Sequence, residues 1–235
     1  MTARLLEFDG KRVFRLSRVT FTLAIGLAKP EQPSTFTVQL QQSLRKKNTV
    51  SKQPKPSRKT IPSQLSPYDD KGEGLHVVIE TPKGSRNKYA FDETQKIFAL
   101  TKVLPVGMSF PYDFGFVPST RAEDGDPVDV LVLMDEPAAV GCLLTCRIIG
   151  IIEGEQGKKK NPERNDRIIA IEQANHSFAD IQHVKDLGKQ FVRELEDFFV
   201  NYHGLSGKKY RVLDVKGPNE ARRRIKDGIR AFRKS

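Results

Sequence analysis

The chain has 235 residues, of which 37% are hydrophobic, and a formal net charge of +11. This size allows one substantial domain with an extension, or two small domains. The apolar run at residues 19–28 is too short to cross a bilayer, which argues against an integral membrane protein. Residues 1–75 contain 14 basic and 6 acidic residues, whereas the rest contains 26 and 23, so the charge excess does not indicate a nucleic-acid-binding core.

Residues 1–74 are rich in Gln, Ser, Pro and Lys and have few sustained apolar patterns. We predict a basic, flexible N-terminal extension here, followed by a folded catalytic domain at residues 75–235. A basic tail is typically a solvated linker, but binding of the extension to nucleic acid or membrane and an organelle-targeting role stay open. Cys142 and Cys146 are interpreted as buried thiols, which favours a reducing, cytoplasmic compartment and a soluble protein.

Apolar segments of strand length recur from residue 75 onward and are separated by turn residues. Their pattern predicts strands at residues 77–80, 88–91, 97–103, 128–133, 143–152, 168–171 and 210–215. Many short strands that precede the helices favour an antiparallel sheet that closes into a barrel.

Two helices are predicted after most of these strands. In residues 190–203, apolar side chains recur on one helix face at Phe191, Leu195, Phe198 and Tyr202. A second helix is predicted to begin after Gly217, with the same kind of apolar face. Both faces need a partner surface, and the outside of the barrel provides it. The expected fold class is mainly β with α (α+β).

Three aspartates lie within six residues at a predicted turn that leads into an apolar strand. Asp124, Asp126 and Asp129 can direct their carboxylates toward one pocket at the rim of the barrel. Such a group of like charges repels, at about 4 kcal/mol per pair for charges 4 Å apart at an effective dielectric of about 20. Hard oxygen ligands select Mg²⁺, Mn²⁺ or Ca²⁺ rather than zinc. The alternative is an acidic surface turn whose carboxylates point into water.

The loop at residues 124–130, Asp-Gly-Asp-Pro-Val-Asp-Val, closely resembles the signature of the family I soluble inorganic pyrophosphatases. Three further segments resemble that family in the same order along the chain. They are residues 77–82 with 87–89, the aromatic stretch at 110–118, and the helix end at 198–203. The four motifs have comparable spacing and extend along almost all of the predicted domain. The chain therefore resembles a divergent member of the family I soluble inorganic pyrophosphatases.

The resemblance implies a five-stranded OB-like barrel with helices packed outside and an active site at its mouth. It also implies hydrolysis of pyrophosphate to two phosphates, dependence on Mg²⁺ with Mn²⁺ as the alternative, and a homo-oligomer. Asp126 would be the general base that activates a water molecule. The metal ligands would be Asp124, Asp129 and, through water, Glu80, and the phosphate oxygens would contact Lys88 and Tyr202.

Several positions depart from the family pattern. Phe114 stands where the family has tyrosine, so one hydroxyl group is missing. Lys102 stands at an arginine position of the phosphate site and keeps the charge but not the planar fork. His203 replaces a lysine after the late tyrosine. These changes preserve the charge balance of the predicted pocket and alter its geometry.

The family also carries Asp-x-x-x-x-Asp-x-Lys before a strand, and here the register is ambiguous. Gapless alignment places Asn165 at the second aspartate and Arg167 at the lysine, which predicts Arg167 as a substrate-binding residue. Asp166 lies one position away, and a β-bulge would bring it into the site, so it is the predicted metal ligand of this segment. The first aspartate has no clear equivalent, and Glu153, Glu155 and Glu163 are the candidates for it.

Two kinds of alternative function stay open at this point. One is an altered-substrate or inactive relative of the pyrophosphatases. The other is a non-enzymatic OB-like nucleic-acid-binding protein, for which exposed aromatic residues interleaved with basic residues are typical. The aromatic residues here instead crowd beside an acidic loop. The run at residues 222–224, three consecutive arginines, is interpreted as a solvated helix face.

Overall fold

A computed structural model describes residues 61–158, 161–205, 207 and 209–234, together with the backbone of residues 4–8, 11–16 and 19–20. The chain divides into two units, residues 1–55 and 56–235. In the first unit, β1 (Arg4–Phe8), β2 (Lys11–Leu16) and β3 (Val19–Thr20) form a three-stranded antiparallel sheet. The basic runs of the predicted extension lie outside the described residues, and the division at residue 75 stays a prediction.

The second unit is built on a seven-stranded sheet, five strands of which close into a ring. The ring strands are β4 (Leu75–Thr81), β7 (Asp113–Phe116), β8 (Asp129–Leu133), β11 (Arg167–Glu172) and β9 (Leu143–Lys158), and β9 returns to pair with β4. Four of the five pairs are antiparallel, and β8 and β11 run parallel. Because strands in a ring of five cannot all alternate in direction, at least one parallel pair is unavoidable.

The other strands extend or flank this ring. β10 (Asn161–Arg164) and β12 (Tyr210–Lys216) both pair with the long strand β9, and β5 (Asn87–Asp92) and β6 (Ile97–Val103) form a separate two-stranded hairpin. Short 3-10 helices lie at Pro62–Gln64 and Val184–Leu187.

The α-helices are α1 (Lys189–Gly204) and α2 (Pro218–Arg233), close to the predicted bounds. None of the described helices combines the length and apolar character that a membrane span requires.

Alternating side chains of the ring strands enter two hydrophobic clusters. In β8, Val130 and Val132 belong to one cluster, which also contains Ala221 and Ile225 of α2. The intervening residues Leu131 and Leu133 belong to the other cluster, with Leu195 and Phe199 of α1. This alternation follows from the two-residue period of a strand and explains why β8 appears in the sequence as an uninterrupted apolar run. The predicted α+β fold with an OB-like ring of five strands and two outer helices is confirmed.

Candidate active site

The aspartate loop is a compact turn that enters β8. Gly125 has a φ of 90°, a left-handed conformation that disfavours any residue with a Cβ atom. The backbone N–H of Ala122 donates to the carbonyl oxygen of Asp126 at 2.7 Å, and that of Gly125 donates to the carbonyl oxygen of Ala122 at 3.1 Å. The loop therefore presents its aspartates from a defined backbone conformation.

A cavity of about 600 Å³ lies beside this loop. It brings together eight of the nine site residues predicted from the sequence. The eight are Glu80, Lys88, Lys102, Asp124, Asp126, Asp129, Arg167 and Tyr202. Acidic side chains from β4 and the aspartate loop thus face the same space as basic side chains from the β5–β6 hairpin and β11.

Two lysines and a tyrosine form the basic side of the cavity. Lys88 and Lys102 are directly opposite each other in the β5–β6 hairpin. The Lys102 ammonium lies 4.8 Å from the centre of the Tyr202 ring, and the Lys88 ammonium lies 5.6 Å from that of the Phe114 ring. Both ammonium groups thus lie over aromatic faces beside the cavity, an arrangement that attracts a cation to the ring.

Arg167 is a further cation that lines the cavity. The parallel pairing of β8 and β11 sets Ile168 beside Val130, so the preceding residues Arg167 and Asp129 are also neighbours. Their side chains form an ion pair with an N–O distance of 2.8 Å, in which the Arg167 side chain is only 6% exposed. Arg167 also donates to the amide oxygen of Asn165, which faces the cavity.

Asp166, the ninth predicted residue, points away from this cavity. It accepts a hydrogen bond from the backbone N–H of Gly154 at 3.0 Å and lies 2.9 Å from the Arg164 guanidinium. The β-bulge in β11 falls between Ile169 and Ala170, after this segment, and therefore does not turn Asp166 inward. Asp166 is an ion-pair partner of arginines and lines a second, smaller pocket together with Asp124 and Asp129, whereas Asn165 lines both pockets.

The carboxylates of the cavity raise one another's proton affinity. Burial and the neighbouring Asp129 carboxylate raise the pKa of Asp124 to about 6. Burial is also the main reason that the pKa of Glu80 is raised to about 7, with Asp129 and Asp126 adding to the effect and Lys88 opposing it. A bound cation would reduce the mutual repulsion of these carboxylates and stabilise their ionised forms.

The carboxylate oxygens that line the cavity are the ligand type that a hard divalent cation prefers. Among the described residues, however, no three acidic, histidine or cysteine side chains are grouped closely enough to form a complete metal site. Asp124, Asp126 and Asp129 line the same cavity, where Asp126 is exposed and Asp129 is paired with Arg167, and their joint coordination of a cation stays a prediction. Carboxylates on a common cavity remain the ligand type that Mg²⁺ prefers.

The raised pKa of Glu80 predicts a pH dependence of stability. Between its ordinary value of 4.5 and about 7 the folded protein binds this proton more tightly than the unfolded chain, so the free energy of unfolding falls as the pH rises through that window. Glu80→Gln removes the titration and keeps an oxygen to accept the hydrogen bond from the Phe91 N–H. At about pH 8 without divalent cations, we expect the variant to be about 2 kcal/mol more stable than the wild type.

This difference is measured by urea unfolding at several pH values, with the free energies extrapolated to water. The advantage of the variant should vanish at about pH 4, where Glu80 is protonated in both states. A constant difference between the two proteins across the whole range would show that Glu80 does not carry the effect.

Several functional contacts were not predicted. Ser63 and Gln64, which precede the predicted domain start at residue 75, line the cavity. Arg224 is not on a solvated helix face: it reaches Glu153 at 3.2 Å and Asp166 at 3.4 Å. The sequence did contain a signal for this contact. Arg224 lies three residues after Ala221, which is buried, and residues at that spacing share a helix face.

His203, one of the departures noted above, also lines the cavity. It is buried, its Nδ1 atom lies 2.8 Å from the carbonyl oxygen of Phe199, and its ring stacks on Tyr210 with centroids 4.4 Å apart. The residue that replaces the family's lysine is thus packed into the wall of the cavity.

Comparison with known proteins agrees with this geometry. The family model for inorganic pyrophosphatase matches residues 77–233. Inorganic pyrophosphatases from Synechocystis and Nostoc are 37% and 33% identical, over 64% and 68% of this chain and 86% and 92% of their own. The crystal structure of inorganic pyrophosphatase from Thermus thermophilus superposes with a TM-score of 0.68 at 31% identity, covering 74% of this chain and 99% of that one. The chain belongs to the inorganic pyrophosphatase family.

Proposed function

We propose that this chain hydrolyses inorganic pyrophosphate to two phosphates. The observation that carries the proposal is that the aspartate loop and Glu80 line the same cavity as Lys88, Lys102 and Tyr202. Pyrophosphate hydrolysis requires neutralisation of phosphate charge and in-line attack by water, with little covalent help from the protein. The acidic and basic side chains of the cavity supply groups for these two tasks.

The chain's own residues divide the work as follows. Lys88 and Lys102, on adjacent strands, bind phosphate oxygens and offset the charge of the leaving phosphate. Tyr202 is half-buried, and its hydroxyl donates a hydrogen bond to the substrate. Asp126, which is exposed at the mouth of the cavity, accepts the proton of the attacking water.

Metal dependence is general in this family, and we propose Mg²⁺ as the cation, with Mn²⁺ as the alternative. Asp124, Asp129 and Glu80 are the residues that would hold it. When bound, a divalent cation lowers the pKa of a coordinated water and neutralises phosphate oxygens. The raised pKa values of Asp124 and Glu80 support this assignment, since both carboxylates are more favourable beside a cation.

A substrate comparison tests the proposed function against its alternatives. Phosphate release is measured from pyrophosphate, tripolyphosphate, ATP and a phosphate monoester, each with Mg²⁺ and with EDTA. We expect pyrophosphate to be preferred and EDTA to abolish release. Preference for another substrate would identify an altered-substrate relative, and no release from any of them would identify an inactive one.

The nucleic-acid-binding alternative receives no support from the family and structural comparisons. The aromatic residues Phe110, Phe114 and Phe116 are 2–3% exposed, so they offer no stacking surface for bases. Binding of nucleic acid through the N-terminal extension is a separate question, and a truncation to residues 56–235 in a filter-binding assay would test the contribution of residues 1–55.

We also propose that the chain is a cytoplasmic homo-oligomer whose residues 1–74 form an extension. Exposed apolar side chains of β6 support an oligomer: Ile97, Leu100 and Val103 are 58%, 54% and 55% exposed. Light scattering on the wild type and a Leu100→Glu variant would test it, and equal monomeric masses would contradict it.

A further inference from the structure

We propose that the guanidinium of Arg167 is a fixed counter-ion of Asp129, so that the cavity binds fewer divalent cations, or binds them more weakly, than its carboxylates alone would allow. The inference rests on the proposed metal-binding role of the cavity. It concerns the charge that the protein itself supplies at the wall formed by β8 and β11.

The contacts of Arg167 hold its guanidinium in place on several sides. One nitrogen, Nη1, is 2.8 Å from the Asp129 carboxylate and 2.9 Å from the backbone carbonyl oxygen of Asp166. The guanidinium carbon lies 5.7 Å and 5.5 Å from the ring centres of Phe114 and Phe199. A planar cation that is stacked and hydrogen-bonded in this way is kept beside the carboxylate.

The start of β11 adds no carboxylate to the cavity that could compensate for this positive charge. Asn165 contributes a neutral amide, which accepts a hydrogen bond from Arg167. Asp166 is engaged behind the wall, where Arg164 and Arg224 lie 2.9 Å and 3.4 Å from its carboxylate. This wall therefore presents an amide and a guanidinium to the cavity and keeps its acidic group away from it.

The consequence for cation binding follows from Coulomb's law. A divalent cation that approaches Asp129 meets the positive charge of Arg167 at the same carboxylate. At the effective dielectric of about 20 that is typical of partly exposed protein sites, a unit charge at such distances changes a cation's binding constant by about tenfold or more. Removing that charge, or adding a negative charge beside it, should strengthen cation binding markedly.

The test is a titration with Mn²⁺, in which free Mn²⁺ is followed by electron paramagnetic resonance without any substrate. Arg167→Gln and Asn165→Asp are each expected to tighten Mn²⁺ binding by about tenfold or more, or to add one bound ion per chain. Arg167→Lys, which keeps the positive charge, is the matched control and should bind Mn²⁺ as the wild type does. Thermal unfolding of each variant establishes that it is folded.

Unchanged or weaker Mn²⁺ binding in folded Arg167→Gln and Asn165→Asp would overturn the inference. So would an equal gain in Arg167→Lys, because the charge would then not be the cause. Since no turnover is measured, the result is separable from the proposed function. If the variants show these shifts while the wild-type chain leaves pyrophosphate intact, the result would contradict the proposed activity and support the inference.

Discussion

Asp126→Asn is expected to lower kcat for pyrophosphate hydrolysis by about 10²- to 10⁴-fold, the usual contribution of a general base. The substitution preserves the size of the side chain and removes its ability to take a proton from water. Asp126 is exposed, and its backbone N–H donates to Asp124 at 3.3 Å, a contact that the variant retains. The turn should therefore stay folded, and KM should change little compared with kcat.

Glu123→Gln is the matched control for this loop. The Glu123 side chain is 63% exposed, and its contact with Arg224 is long, at 3.8 Å. A surface ion pair of this kind contributes little, so the control should retain the wild-type rate. Equal rates for Asp126→Asn and the wild type, with release of phosphate still dependent on Mg²⁺, would show that another group accepts the proton.

Gly115→Ala is expected to lower the free energy of unfolding by about 3 kcal/mol, near the upper end of the usual cost of overpacking. Gly115 lies in β7 between Ile79 of β4 and Val130 of β8. A Cβ atom here would overlap the carbonyl oxygen of Val78 and lie 3.0 Å from the Cα atom of Ile79. Because both obstacles are backbone atoms in the closed ring, the strands must separate to relieve the overlap.

Gly204→Ala provides the comparison for this substitution. Gly204 is the last residue of α1, and a Cβ atom added there meets nothing within 4 Å. Its stability should be equal to that of the wild type or slightly higher, since alanine favours a helix over glycine. Denaturant unfolding of both variants measures the contrast, and equal stabilities would mean that β4 and β7 tolerate the added methyl group.

Most of the ring could be predicted from apolar periodicity, because its strands are buried on one or both faces. The exception is β7, Asp113–Phe116, which the sequence presents as part of an aromatic stretch rather than as an alternating strand. Its buried Asp113 accepts hydrogen bonds from the backbone N–H groups of Lys83 and Ala138. These partners are distant from Asp113 along the chain. The sequence around residue 113 therefore gives no local sign that a buried aspartate begins a strand here.

The aspartate loop, where residue type alone indicates the chemistry, lines the cavity, and the catalytic and metal-binding roles of its aspartates stay predictions. The prediction was ambiguous where the register decides which side chain enters the cavity. Asn165 and Arg167 are two residues apart and line the cavity, whereas Asp166 between them faces the other side. The ion pair of Arg167 with Asp129 depends on the parallel pairing of β8 and β11, which one sequence does not reveal.

The most direct test of the account is phosphorus NMR of pyrophosphate mixed with the purified full chain. With Mg²⁺ present, the pyrophosphate resonance should be replaced completely by that of orthophosphate. Conversion should stop when EDTA is added and resume with excess Mg²⁺. A pyrophosphate resonance that persists with Mg²⁺, or is lost equally fast with EDTA, would contradict metal-dependent hydrolysis in the cavity of Asp124, Asp126 and Asp129.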